Sequence, residues 1–356
     1  MPVYLNRVSA AVPAHEVNDA FLAFARGRLT ERPRHISIFN RMVQRSGIER
    51  RYSTLHPRED AGDGALDEGG IFRKGAFPGT SARMDVFEAR APELAMQAIG
   101  GLDLGADEAG RITHLVVATC TGFAAPGLDL ALVARLGLNP SVERTMIGFM
   151  GCYAAINALK LARHIVRSDP AARVLVVNCE LCTLHLKDTE DLETLLTFCL
   201  WGDGCTAALV SSDPTGLRLD SFRALLAADS AELMSWRVRD DGFDMVLSGR
   251  VPGAVGQVLD AHAVDILGGA PRDAFTHWAV HPGGKSVLDA VEQALEPGPD
   301  ALAPSREVLR RNGNMSSATV MFVLARMLET ATTGERGCAM AFGPGLTAET
   351  MLFEAA

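Results

Sequence analysis

The sequence predicts an α/β protein built from two similar halves, and three observations carry that prediction. Short apolar, β-branched runs alternate with longer helical patterns along the chain, as expected when helices pack on sheets. A set of local landmarks recurs in one order at almost one spacing. Finally, 356 residues, 48% of them hydrophobic and 22% charged, suffice to bury the core of one large domain or of two coupled halves.

Taken in chain order, RMVQRSGIERRY comes first. If it is helical, Arg41 and Arg45 stand four apart on one face, with Arg50 and Arg51 just beyond. In a chain of net charge −9 this is the candidate patch for an anionic ligand. The stretch from Pro57 to Thr80 is rich in Gly, Asp, Glu and Pro and reads as a long surface loop. THLVVATC then reads as a strand and LDLALVARLGL as a helix; GCYAAINALKLA is a second helix and RVLVVNC a second strand. THWAVH, SVLDAVEQALE, GNMSSATVMFVLA and CAMAF continue the alternation to the C-terminus.

The repeat lies in the spacing more than in residue identity. LVVATCTG and HWAVHPGG are both strands that run into glycine-containing turns, and their Cys120 and His281 lie 161 residues apart. GCYAAINALKLA and GNMSSATVMFVLA both open on glycine plus a polar residue, and their Cys152 and Asn314 lie 162 apart. We therefore expect an N-terminal half over 1–215, a C-terminal half over 216–356, and a pseudo-twofold relation that brings the two helix starts to one junction.

Composition excludes several classes. The acidic balance disfavours a general nucleic-acid binder, because phosphate neutralisation needs a basic surface. No run approaches the ~20 apolar residues of a membrane-spanning helix, and the opening MPVYLNRVSAAVPAHEV lacks a signal-peptide pattern, so the expected location is the cytoplasm. Seven scattered cysteines argue against a disulfide framework, and Cys179-x-x-Cys182 has no second pair with which to hold zinc. His277 and His281 lie four apart on a strand, about 13 Å, too far to chelate one metal. No metal site is expected.

Cys152 precedes a helix, so the N-terminal amides are expected to favour its thiolate. His281 ends a strand beside a sharp turn, where active sites of α/β proteins collect. Asn314 has the residue type and position of a helix cap, but the repeat makes it the counterpart of Cys152. A Cys, a His and an Asn around one pocket suit two chemistries. One is thioester condensation, with a thiolate that takes an acyl group and two neutral donors that hold an enolate oxygen. The other is papain-like hydrolysis, whose usual surroundings of the cysteine are missing here.

GCYAAINAL, WGDG, HPGG, GNMSSA and FGPGLTAE, in this order, resemble the type III polyketide synthases of the chalcone synthase kind, within the thiolase superfamily. The resemblance runs from about Arg41 to the C-terminus. It implies the five-layered αβαβα thiolase fold and a homodimer. It assigns Cys152 as nucleophile, His281 and Asn314 as the pair that supports malonyl decarboxylation, and Arg41 and Arg45 as contacts to coenzyme A phosphates; a third basic position is Ile38 here. It further places Cys120, Thr121, Ala125, His185, Trp201, Met245 and Ser316 around the acyl and cyclisation cavity, with Trp201 and Met245 at gatekeeper positions and Phe342-Gly-Pro-Gly345 at its floor.

The implied substrates are acyl-CoA and malonyl-CoA, with no cofactor. The implied product is an alkylpyrone or alkylresorcinol grown from a medium or long fatty acyl starter. The alternatives are a single condensation of the ketoacyl synthase III kind and a cysteine hydrolase.

Overall fold

The computed structural model describes residues 1–58 and 64–356, and its strands repeat one arrangement twice. In the first half, His114–Thr119 runs parallel to Val174–Leu181, which pairs antiparallel with Asp203–Ser211, which pairs antiparallel with Tyr4–Ala11. In the second, His277–Val280 runs parallel to Arg336–Gly343, followed antiparallel by Thr347–Ala355 and Leu217–Leu226. The halves join where Tyr4 and Leu5 pair with Arg218 and Leu217, giving one nine-stranded sheet. Glu143–Gly148 adds a parallel edge strand to the first half.

Side-chain alternation along the buried strands builds the layers. Val174 and Val176 point to one core and Leu175 and Val177 to another; Ala339 and Ala341 share the first core, while Cys338 and Met340 point away from it. That shared core is filled by helices Ala154–Ser168 and Ala318–Thr330, which lie between the two halves. Ala155, Leu159, Ala162 and Val166 repeat at helical spacing and are all buried, so this helix turns an apolar stripe into the shared core. Truncating the fully buried Leu159 or Leu324 to alanine costs about 2–5 kcal/mol. Helix Thr80–Gly100 covers the outer face of the first half, and Val251–Ile266 with Lys285–Leu295 covers the second. The order is helix, sheet, helix, sheet, helix, the thiolase-like arrangement that the resemblance implied.

This duplication positions the site. The equivalent strands His114–Thr119 and His277–Val280 end immediately before Cys120 and His281. The equivalent central helices begin just after Cys152 and Asn314. His277, too far along the strand from His281 to share a metal with it, hydrogen-bonds Glu335 at 2.8 Å.

Two expectations need correction. The segment from Pro57 to Thr80, of which 59–63 lie outside the described residues, is not wholly a surface loop: Ala65, Asp67 and Phe72 are buried. The Asp67 carboxylate accepts from the amides of Ile71 and Phe72, and this turn drives the Phe72 ring into the cluster that contains Cys152 and Trp201. Composition hid this because one aromatic anchor outweighs many polar neighbours. Arg51, grouped with the surface arginines, is fully buried. Its Nε donates to Asn18 Oδ1 at 2.9 Å and its Nη1 to the carbonyls of Phe198 and Trp201 at 2.9 and 3.0 Å.

Candidate active site

Cys152 sits at the turn before helix Ala154–Ser168, only 8% exposed. The preceding Gly151 has φ +81°, and a Cβ there would overlap the Pro344 ring of the other half, so the turn requires glycine. His281 is 1% exposed, with its amide bonded to the Met340 carbonyl at 2.8 Å. Neither of its ring nitrogens has a hydrogen-bond partner among the described residues.

Asn314 is fixed by its backbone and its side chain together. Its amide donates to the Leu200 carbonyl at 2.8 Å and its carbonyl accepts from Gly202 at 3.0 Å, so the Trp-Gly-Asp-Gly and Gly-Asn-Met-Ser-Ser segments interlock. Gly313, at φ +68° and ψ −157°, opens that segment in a conformation reserved for glycine. The side-chain oxygen of Asn314 accepts from the Ser316 amide at 2.9 Å, and its NH2 donates to the Gly283 carbonyl at 3.1 Å. That leaves one N–H for a ligand.

These groups meet in one cavity. Cys152, His281, Asn314 and Ser316 line it together, although Cys152 belongs to one half and the other three to the second. The Ser316 hydroxyl lies 3.8 Å from the Cys152 sulfur. The cavity encloses about 960 Å³, the upper end for a small-molecule site. It extends to the C-terminal turn of helix Pro33–Ser46, where Met42 and Arg45 stand at its lining. Phe342 and Pro344 of the glycine loop also line it, as do Trp201 and Met245.

Several residues assigned to the cavity lie elsewhere. Cys120 is buried behind Cys152, with its sulfur accepting from the Gly151 amide at 2.9 Å. Thr121 is buried and donates to Glu180 at 2.9 Å. His185 is consumed by the backbone: Nε2–H donates to the Thr121 carbonyl at 2.8 Å, Nδ1 accepts from Phe243 at 3.2 Å, and the ring stacks on Phe243. Ala125 is exposed. Cys120, Thr121 and His185 are thus buried among backbone partners rather than at the cavity lining, a distinction of depth that a linear motif cannot carry. Of the two arginines, Arg45 lines the cavity mouth while Arg41, one turn earlier, is exposed outside it; Ile38 is also exposed.

The electrostatics differ from the expectation of a lowered thiol pKa. Burial pushes the Cys152 thiol up to about 12, against the opposing pull of Ser316 and Asn314. Burial also takes His281 down to about 3. Burial therefore favours the neutral form of both groups at pH 7, and the helix terminus alone does not offset desolvation.

Two residues escaped the sequence reading. Glu180 is fully buried, and burial raises its carboxyl to about 7 against donors from Ser317, Cys120 and Thr121. It is the penultimate residue of strand Val174–Leu181, and an acid within so apolar a run was the available signal. Trp236 lines the cavity beside Met245, its cross-strand partner in the hairpin of Met234–Arg239 and Gly242–Leu247. One side of that pair was read from the sequence and the other was not.

The fold and this cavity define a thiolase-like condensing enzyme of the acyltransferase type. The chain matches the model of the chalcone and stilbene synthases, N-terminal domain, over residues 6–214 and that of the C-terminal domain over 220–356, and it belongs to this family of type III polyketide synthases. It is 37% identical over 340 residues to bisdemethoxycurcumin synthase of Oryza sativa subsp. japonica, covering 89% of this chain and 83% of that one. It is 32% identical over 364 residues to the alpha-pyrone synthesis polyketide synthase-like Pks18 of Mycobacterium tuberculosis, covering 98% and 90%. The type III polyketide synthase domain of Steely1 from Dictyostelium superposes with a TM-score of 0.90 at 23% identity over 100% of this chain and 99% of that one.

Proposed function

We propose that this enzyme condenses malonyl-CoA onto a medium or long fatty acyl-CoA and cyclises the product to an alkylpyrone or alkylresorcinol. The observation that carries the reading is the convergence of Cys152, His281 and Asn314 in one large cavity whose surface is mainly apolar, with Arg45 at its mouth. Leu22, Met42, Leu196, Leu247 and Val251 supply apolar wall, and Met245 is a flexible gate for an extended acyl chain. A relative named for alpha-pyrone synthesis supports the same product class.

In this mechanism His281 takes the Cys152 proton as the thiolate attacks the acyl-CoA carbonyl, and the CoA thiol leaves with a proton. Pairing of thiolate and imidazolium offsets the desolvation that each bears alone. Malonyl-CoA enters past Arg41 and Arg45 and loses carbon dioxide. The His281 N–H and the remaining Asn314 N–H hold the enolate oxygen in a site where burial strengthens both hydrogen bonds. The enolate carbon attacks the acyl-Cys152 carbonyl, the thiolate departs, and the β-ketoacyl chain on CoA returns to Cys152 for the next round. The sequence is redox-neutral and loss of carbon dioxide drives it.

We place the enzyme in the cytoplasm, consistent with seven unpaired, buried thiols; no helix among the described residues is long and apolar enough to cross a membrane. We also propose a homodimer, formed through the unpaired edge Glu143–Gly148, beside which Phe123, Met146 and Met150 are exposed.

The test is incubation with labelled malonyl-CoA and acyl-CoAs from acetyl to palmitoyl, with mass spectrometry of the products. Cyclised products of two or three extensions are expected with fatty starters. A single extension would indicate the ketoacyl synthase III alternative, and free acid without carbon dioxide release would indicate a hydrolase.

A further inference from the structure

One buried carboxylate joins segments of both halves that lead into the site. Glu180, near the end of strand Val174–Leu181 in the first half, is 0% exposed. Its Oε2 accepts from the Cys120 amide and from the Thr121 hydroxyl, both at 2.9 Å. Its Oε1 accepts from the Ser317 hydroxyl of the second half. The Thr121 oxygen itself accepts from the Leu181 amide at 2.9 Å, which commits its hydrogen to Glu180. Every one of these partners is a donor, the complement of a carboxylate that carries no proton.

Each side of this clasp leads to a group that meets substrate. On one side the Cys120 sulfur holds the Gly151 amide, and Gly151 sets the turn before Cys152. On the other, Ser317 follows Ser316, whose amide orients the Asn314 side chain. The titratable groups around Glu180 are the buried thiols of Cys120, Cys152, Cys179 and Cys182, and no cation pairs with it among the described residues. Its charge also works against ionisation of the Cys152 thiol. A buried anion without a counter-ion, placed where it opposes the nucleophile, is costly, and its hold on the two turns is what offsets that cost.

We infer that Glu180 is a positioning residue for decarboxylation: as a carboxylate it fixes the Ser316–Ser317 turn, and through that turn the Asn314 N–H that holds the enolate oxygen. A protonated carboxyl, or a glutamine, keeps one oxygen as acceptor for Cys120 and Thr121. It then turns a donor towards the Ser317 hydroxyl and amide, which both donate to the carboxylate, and so releases the Asn314 side. Acylation of Cys152 does not use that side. This deepens the proposed function and rests on it for the reaction.

The test separates the two steps. Decarboxylation of malonyl-CoA to acetyl-CoA is followed in Cys152→Ala, where the nucleophile is absent; acylation by a fatty acyl-CoA is followed by intact mass spectrometry with Cys152 present. Adding Glu180→Gln is expected to slow decarboxylation at about pH 8.5 by roughly tenfold to a hundredfold, and acylation by less than about threefold. Burial pushes the Glu180 carboxyl up to about 7 and holds His281 at about 3. Decarboxylation with Glu180 intact should therefore rise with pH through a limb near 7 that Glu180→Gln abolishes. Ser317→Ala keeps the carboxylate and removes one donor, and should show the same split between the steps, which decides the matter if Glu180→Gln does not fold. Equal losses in both steps, or a limb near pH 7 that survives Glu180→Gln, would overturn the inference and leave the proposed function standing. A Cys152→Ala protein that decarboxylates malonyl-CoA at no pH would overturn the proposed enolate chemistry and this inference with it.

Discussion

At His281 the energetics of burial become a pH dependence of the fold. The imidazole is held near pKa 3, below the ordinary value near 6.5, so the folded state binds its proton less readily than the unfolded chain. Its stabilising contribution is complete above about pH 6.5 and is lost as pH falls towards 3. His281→Gln should therefore lose about 2 kcal/mol less unfolding free energy than the wild type between pH 7.5 and pH 5, read by urea unfolding at the two pH values. Equal losses would mean that the imidazole is already hydrated in the folded protein. Gly151 is the second residue where chemistry and fold meet. Gly151→Ala introduces a left-handed side chain and an overlap with Pro344, and should cost about 1–3 kcal/mol along with most of the acylation rate of Cys152. Thermal unfolding and single-turnover acylation measure the two effects separately.

Among the elements, the turn Phe198–Trp201 and the segment from Gly313 onward hold Asn314 in place, and Arg51 ties the first of them down. Arg51→Met leaves the Asn18 side-chain oxygen and the Trp201 carbonyl without donors, and the Phe198 carbonyl with only the Trp201 amide, and should destabilise the protein by about 3 kcal/mol, whereas the same change at the exposed Arg50 should stay within about 0.5 kcal/mol. The sequence could not separate these neighbours. Both follow a helix in a basic run, and only the return of Phe198 and Trp201 from 150 residues further on distinguishes them. The central helices and their strands were legible because period and spacing are local properties. The Trp236 to Met245 pairing was not, since it depends on the register of a hairpin whose turn, Asp240-Asp241, carries only a weak signal.

Across the whole molecule, the duplication was legible because each half keeps the same landmarks at the same offset, and a twofold repeat brings equivalent points together. Motifs therefore gave the residues that converge on the cavity, but not the depth at which Cys120, Thr121 and His185 lie behind its wall. Depth is a property of packing layers. The same scale governs assembly: the first half ends in the strand Glu143–Gly148, which is paired along one side only and leaves its other edge open. Light scattering in solution should give twice the chain mass, and Met146→Lys on that strand should shift the population to monomer. A wild-type protein of single-chain mass would place this edge outside any dimer contact.

Acylation of the nucleophile tests the central claim most directly. Purified protein mixed with a fatty acyl-CoA, without malonyl-CoA, and analysed by intact and peptide mass spectrometry should carry one acyl group on the peptide containing Cys152. The adduct should be absent in Cys152→Ala and form more slowly in His281→Gln. An acyl group on any of the other six cysteines, or none at all with every starter from acetyl to palmitoyl, would contradict the assignment of Cys152 as the residue on which the chain is built.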